Sequence, residues 1–345
     1  MGLHAEIAEQ PAVIRRLLET QRPTAAQIAA AIRRTDPRFA FLAARGTSDN
    51  AGRYANYLWG AHNRLPMALA APSLFTLYRR PPRLREALVV GISQSGRSPD
   101  IVSVIEHGRE QGNLTLAITN APESPLARVA EWVLDIQAGR EESVAATKTY
   151  TAQLAAIALL SAALAQDEAM QQALDQVPRW MDAMLALEAD IARAVVRYRY
   201  VTQCVVLGRG YNYATAFEWA LKLKELTYIA AEPYSSADFQ HGPVAVVGKG
   251  YPVLAVAPSG AVLDSMRDLL RYLHDTLGAE LVVISDDDEV LSWAEVPLRL
   301  PREVPEWLTP LVSVVGAQLF TYHLTLAKGY DTERPRGLRK VTETV

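Results

Sequence analysis

Short apolar runs recur along this chain, several of them closed by a polar turn containing glycine and followed by a helical pattern. Phe39 to Ala43 predicts a strand, and Arg45-Gly46-Thr47-Ser48 then leads into a helical segment through Trp59. Leu88 to Ile92, rich in valine and interrupted by glycine, reads as a buried parallel strand. Cys204 to Leu207 and Val253 to Ala257 are two more, and third strands follow in the two halves at Leu114 to Thr119 and Leu281 to Ser285. The spacing repeats: Gly46 to Gly210 is 164 residues, and Ser95-Gly96 to Ser259-Gly260 is again 164. Equal offsets between strand, turn and helix predict a duplicated α/β protein, two tandem doubly wound domains with mainly parallel sheets flanked by helices.

Helical periodicity without glycine marks Thr147 to Ala165 and Glu168 to Val196 as long packing or connecting helices. Ala5 to Leu18 and Thr24 to Arg34 predict two more helices ahead of the first strand, and Arg79-Arg80-Pro81-Pro82 an exposed turn. The expected organisation is N-terminal helices over 1–35, a first domain over 36–190, a second over 191–330 and a C-terminal tail over 331–345.

Composition narrows the classes. At 345 residues and 50% hydrophobic the chain can bury two cores. A net charge of −3 gives no reason to expect nucleic acid or an anionic membrane as partner. Cys204, the sole cysteine, excludes an internal disulfide and reads as a buried strand residue rather than a nucleophile. Met1 to Gln10 has no apolar signal core, and no charge-free membrane span of about 18 residues is expected, so a cytoplasmic protein is expected. His241, His274 and His323 are scattered without ligand-like spacing, and neither a metal nor a cofactor is expected.

Two regions carry candidate chemistry. After the strand ending near Ile92, Ser98 stands as an N-cap and Pro99 as the first helical residue. The free N–H groups of that helix, the hydroxyls of Ser93 and Ser95 and the amide of Gln94 can surround an anion, and Gly96 lets the backbone approach it. The alternative is an ordinary strand-to-helix turn rich in serine. The second copy reads Ala257-Pro258-Ser259-Gly260 and lacks the Ser-Gln-Ser cluster, so only the first half is expected to hold phosphate. Further on, Glu218, Lys222 and Glu225 fall on one helical face while Trp219, Leu223 and Leu226 share another. That pattern fits a solvated amphipathic helix with ion pairs. Together with His241 beside Gly242-Pro243, in what reads as a polar loop, it also suits proton transfer on a sugar; alone, His241 fits a structural loop residue equally well.

These residues resemble the sugar isomerase (SIS) domain family, most closely the isomerase half of glucosamine-6-phosphate synthase and the stand-alone SIS-type glucosamine-6-phosphate deaminases. Seven motifs in order carry the resemblance: Glu6-Ile7-Ala8-Glu9-Gln10-Pro11, Arg45-Gly46-Thr47-Ser48, Ser93-Gln94-Ser95-Gly96, Val144-Ala145-Ala146-Thr147-Lys148, Leu221-Lys222-Leu223-Lys224-Glu225, His241-Gly242-Pro243 and Pro335-Arg336-Gly337-Leu338-Arg339-Lys340. The resemblance covers nearly the whole chain and implies flavodoxin-like SIS domains.

It also implies roles. Ser48, Ser93, Gln94, Ser95 and Ser98 match the family's phosphate ligands, with Gly46, Thr47, Val144, Ala146 and Glu218 lining the sugar. Glu225 matches the base that moves a proton between C1 and C2, with Lys222 beside it. His241 matches the residue that opens the ring, reaching in from a second subunit, which implies a homodimer. Lys340 matches the lysine that forms a Schiff base with the ketose, in a tail that closes over the site; without the resemblance it reads as one more exposed cation. The departures point to one branch. The synthase's amidotransferase cysteine follows its initiator methionine, whereas position 2 here is Gly2, so glutamine use unaided is not expected. Arg97-Ser98-Pro99 is more like the deaminases, while Ala146 and Arg339 replace a serine and a small residue of the synthase. The expected activity is deamination of a hexosamine 6-phosphate, glucosamine 6-phosphate foremost, to fructose 6-phosphate and ammonia. A fructosamine-6-phosphate deglycase is the alternative. A sugar-phosphate-binding regulator ranks below both, since no DNA-binding domain fits before Phe39.

Overall fold

The computed structural model describes residues 2–340. They form two compact units. The first comprises Ala12–Glu141 and Lys148–Gln176 with Arg339 and Lys340; the second comprises the residues through Pro11, Glu142–Thr147 and Val177–Leu338.

The first unit holds β1 (Phe39–Ala43), β2 (Met67–Leu69), β3 (Ala87–Ser93), β4 (Leu114–Thr119) and β5 (Trp132–Asp135), all parallel in the order β2-β1-β3-β4-β5. Every residue of β3 is buried, as a central strand covered on both faces requires. On one face Phe41, Val89 and Ala117 pack with Ile101, Val104 and Ile105 of helix Pro99–Glu110. On the other, Leu42 meets helix Gly46–Asn63 so closely that an added Cβ at Gly52 would lie 2.7 Å from it. That helix packs in turn on Lys148–Ala165, where the Trp59 indole donates to the Ile157 carbonyl at 3.3 Å.

The second unit repeats the plan with β6 (Gln203–Gly208), β7 (Ala230–Ser235), β8 (Pro252–Val256), β9 (Glu280–Ser285) and β10 (Val296–Arg299), parallel in the order β10-β9-β8-β6-β7. The duplication extends to individual contacts. Arg45, just after β1, donates to Asp100 at 2.8 Å, and Arg209, just after β6, donates to Ser265 at 2.9 Å; both acceptors lie in the first turn of the helix that follows the third strand of the unit. The duplicated doubly wound fold is as expected, and Cys204 is buried in β6 with its thiol pushed up to about 12 by desolvation.

Several local expectations are corrected. Ala5 to Leu18 and Thr24 to Arg34 are not two separate helices: the chain forms Leu3–Ala8 and then a single helix, Gln10–Thr35, that runs through Pro23. Ile14, Leu17, Leu18, Ala25, Ile28, Ala29 and Ile32 keep one buried face in register across the proline, and that packing outweighs the lost N–H. Glu168 to Val196 is broken instead, into Glu168–Leu185, Glu188–Ala194 and a 3₁₀ turn over Val195–Tyr198. The stretch expected as a polar loop before His241 contains the short helix Ser236–Gln240. The expected absence of a charge-free span is corrected as well: one helical stretch among the described residues, Glu306–Ala327, is long and apolar enough to cross a membrane, but it is mostly buried inside the protein as a core helix.

A tight approach at the end of β6 makes a prediction. A Cβ on Gly208 would stand 2.2 Å from the Asn212 carbonyl oxygen, a backbone atom that cannot rotate away. Gly208→Ala is expected to lose about 1–3 kcal/mol by chemical denaturation; an unchanged unfolding midpoint would contradict this packing.

Candidate functional site

In the first unit the chain leaves β1 for β2 on one side and returns to β3 on the other, so the C-terminal ends of β1 and β3 border the crevice where strand order reverses. Two helices begin there. Gly46–Asn63 starts within the Arg45-Gly46-Thr47-Ser48 motif, and Pro99–Glu110 starts after Ser93–Ser98. Their first N–H groups open toward the carboxyl edge of the sheet, the arrangement that receives an anion.

The turn between β3 and its helix is internally organised. The Ser93 hydroxyl accepts the Gly96 N–H at 3.1 Å, and the Ser95 hydroxyl accepts the Arg97 N–H at 3.3 Å. Gly96 has φ +60°, and an added Cβ would lie 2.0 Å from the Ser124 hydroxyl, so only glycine fits. Pro99 is the first helical residue, as expected, but Ser98 at the N-cap position makes no side-chain cap. Asp100 instead accepts the Ile101 N–H at 2.9 Å. Ser48, nearly buried, accepts from the Gln153 amide at 2.9 Å. One residue on, burial raises the carboxyl of Asp49 above its ordinary value against the pull of Arg53 and Arg45.

The tail lysine belongs to this unit. Lys340 Nζ donates to Oε2 of Glu141 at 2.8 Å, and the Gln94 amide donates to the same oxygen at 3.4 Å. The Thr149 N–H and hydroxyl complete the grip on Glu141 at 3.1 and 2.8 Å. A buried carboxylate thus joins the tail, the turn after β3 and the start of helix Lys148–Ala165. Sequence reasoning missed Glu141; its one signal is the Glu141-Glu142 pair directly ahead of the Val144 to Lys148 motif.

The second unit holds the remaining candidates. Helix Tyr213–Lys222 passes into a π-helical turn, Leu223–Thr227, that ends at Tyr228 with φ +58°. Such turns widen a helix and recur at functional sites. Lys222, almost wholly buried, lies 2.5 Å from Glu225 Oε2 and 3.5 Å from Oε1 of Glu218, which is 0% exposed. Trp219, Leu223 and Leu226 are buried on the other face, as expected. His241 is exposed at the C-terminal end of Ser236–Gln240.

Val144 and Ala146 lie half-buried in a segment positioned by the first motif of the chain. Glu6, 0% exposed, accepts the Glu142 and Ser143 N–H groups at 2.5 and 3.3 Å. Gln10 donates to Gln318 at 2.8 Å, and the Gln318 amide reaches the Thr147 carbonyl at 3.5 Å. The Glu6 to Pro11 motif therefore acts here through the segment that it holds. The first unit brings together Gly46, Thr47, Ser48, Ser93, Gln94, Ser95, Ser98 and Lys340, and the second carries Val144, Ala146, Glu218, Lys222, Glu225 and His241.

The SIS domain profile matches residues 35–163 and 200–328. Glutamine–fructose-6-phosphate aminotransferase (isomerizing) of Zymomonas mobilis is 31% identical over 358 residues, covering 98% of this chain and 58% of that protein. The Legionella pneumophila enzyme of the same name is 36% identical over 306 residues, covering 87% of this chain and 50% of that protein. The chain spans about half the length of these relatives. The C-terminal domain of glucosamine-fructose-6-phosphate aminotransferase from Francisella tularensis superposes with a TM-score of 0.87 at 28% identity, covering 96% of this chain and 98% of that one. A Silicibacter pomeroyi protein described as a phosphosugar isomerase gives 0.86 at 33% identity, covering 96% and 100%.

Proposed function

Because this chain belongs to the SIS domain family, we propose that it isomerises and deaminates a hexosamine 6-phosphate, with glucosamine 6-phosphate as substrate and fructose 6-phosphate and ammonia as products. The observation that carries this reading is the Lys222 ammonium held between Glu218 and Glu225 on a π-helical turn. A half-buried carboxylate hydrogen-bonded to a buried cation is a base beside a source of positive charge, which aldose–ketose proton transfer needs.

In this reading the substrate phosphate docks on the turn after β3, with Ser48, Ser93, Gln94, Ser95 and Ser98 as ligands and Gly46, Thr47, Val144, Ala146 and Glu218 lining the sugar. His241, donated by the second protomer of a homodimer, opens the ring to the C1 aldehyde. Glu225 takes the C2 proton and returns it to C1, while the aldehyde oxygen gains a proton and the amine nitrogen gives one up, leaving a C1 alcohol and an imine at C2. Lys222 offsets negative charge developing on the oxygen. The Lys340 amine adds to C2 and expels ammonia, forming a Schiff base that water hydrolyses to the ketose and free lysine. The Glu141 partnership supports a tail lysine organised together with Gln94.

The test is ammonia release from glucosamine 6-phosphate, with a fructosamine 6-phosphate run alongside. Ammonia from the first substrate supports the reading; amino acid release from the second alone would replace it with a deglycase. Ser95→Ala is expected to raise KM for the sugar phosphate about 10- to 100-fold with kcat nearly unchanged, the loss of one charge-assisted hydrogen bond to a remote handle. A fall in kcat at constant KM would argue against a phosphate role.

A further inference from the structure

The first unit also holds a cleft at the edge of its sheet opposite the turn after β3. It measures about 250 Å³ and lies where three helices end: Gln10–Thr35 just ahead of β1, Gly46–Asn63 just ahead of β2, and Lys148–Ala165. Ile32, Leu65 and Leu164 give it an apolar floor, and Arg33, Asp36 and Arg64 stand exposed at its rim. Sites for drug-sized ligands run from roughly 300 to 1,000 Å³, so this one admits a smaller molecule.

The backbone around the cleft departs from the way other helices of the chain end. Helices Pro99–Glu110, Leu263–Asp275 and Thr309–Ala327 are followed by Gly112, Gly278 and Gly329, each with positive φ, the left-handed exit that suits glycine. The three helices at the cleft make the same exit with side chains in place: φ is +46° at Asp36, +54° at Arg64 and +53° at Gln166. Arginine and glutamine are poor residues for that conformation. Strain of this kind persists where the side chain contributes something glycine cannot, and both Asp36 and Arg64 line the cleft.

The charges there are of both signs. Each helix end carries about half a negative charge on its last carbonyls, and Asp36 adds a full one. Arg33 and Arg64 oppose them. One N–H of the Arg33 guanidinium donates to the Ala163 carbonyl at 2.8 Å, which anchors that cation at the end of the third helix. Desolvation lowers His62, on the same wall, against the pull of Asp167, so its imidazole is neutral at pH 7. A lone anion would face three helix C-termini and Asp36, and a lone cation would face two guanidiniums. A zwitterion with an apolar body meets neither penalty.

We propose that this cleft binds a free apolar α-amino acid. The carboxylate sits on the Arg33 and Arg64 guanidiniums, the ammonium on Asp36 and the last carbonyls of the helices, and the side chain on Ile32, Leu65 and Leu164. The length of β1 separates this site from the turn after β3, so the amino acid and a phosphate held at that turn occupy different places.

The experiment is isothermal titration calorimetry with L-leucine, beside 4-methylpentanoate, which lacks the ammonium, and 3-methylbutylamine, which lacks the carboxylate. L-leucine binds one molecule per chain, at least about 10-fold tighter than either analogue, the effect of one charge-assisted contact. Arg64→Gly and Asp36→Gly each weaken it about 10-fold or more, while the melting temperature stays at or above that of the unaltered chain because glycine accepts the left-handed exit. Where glycine loosens the helix end, Arg64→Asn, which also suits that exit, gives the same loss. No binding of L-leucine, equal binding of either analogue, or binding that survives these substitutions overturns the proposal. The proposal is independent of the reaction proposed above: saturating glucosamine 6-phosphate leaves L-leucine binding unchanged, and displacement by it would place the amino acid in the sugar site and overturn the cleft.

Discussion

Glu225→Gln is expected to lower the rate of ammonia release from glucosamine 6-phosphate about 100- to 10,000-fold, the range for removal of a positioned general base. The amide is the same size, and Lys222 keeps Glu218 as a partner, so the helix and its buried face should persist. The loss should therefore fall on kcat, with phosphate binding unchanged, because the residues proposed to hold the phosphate lie on a different element. The decisive measurements are steady-state kinetics and thermal melts on both proteins. Equal activity would remove Glu225 from the role of base, and a large fall in melting temperature would make the kinetic loss uninterpretable as chemistry. Glu225→Asp separates these outcomes: a shortened carboxylate should retain more activity than the amide if proton transfer is its work.

Lys222→Met should be the more damaging change to the protein itself. Glu218 has no exposed surface, and Lys222 supplies a cation 3.5 Å away. Removing one partner of a buried ion pair costs about 3–5 kcal/mol. Urea denaturation should record that deficit, together with loss of activity. The double variant Glu218→Gln/Lys222→Met removes both charges and should recover much of the stability without recovering activity. If the single variant is as stable as the unaltered chain, Lys222 does not compensate Glu218 and the pair cannot be the electrostatic unit assigned to it.

The central strands were legible because their signal is local. β3, β4, β6, β8 and β9 are apolar runs buried on both faces, and the 164-residue offset marks their duplication. The edge strands β2, β5, β7 and β10 went unseen. They are short or partly exposed, as in Met67–Leu69 and Val296–Arg299, and a sheet edge needs no continuous apolar run. The turn after β3 was readable in the same way, since its serines, glycine and proline act on their own backbone within a few residues.

By itself the sequence determined a twofold α/β repeat, the seven motifs that mark its family and the asymmetry between a Ser-Gln-Ser turn and its plainer copy. Only the tertiary structure decided that Gln10–Thr35 runs unbroken through Pro23, that a π-helical turn presents Glu225 to Lys222, and that Glu141 holds a lysine 199 residues away. The division is physical. Periodicity and turn chemistry depend on neighbours a few residues apart, whereas buried charges find partners that only folding brings near, and no local pattern records which partner will arrive.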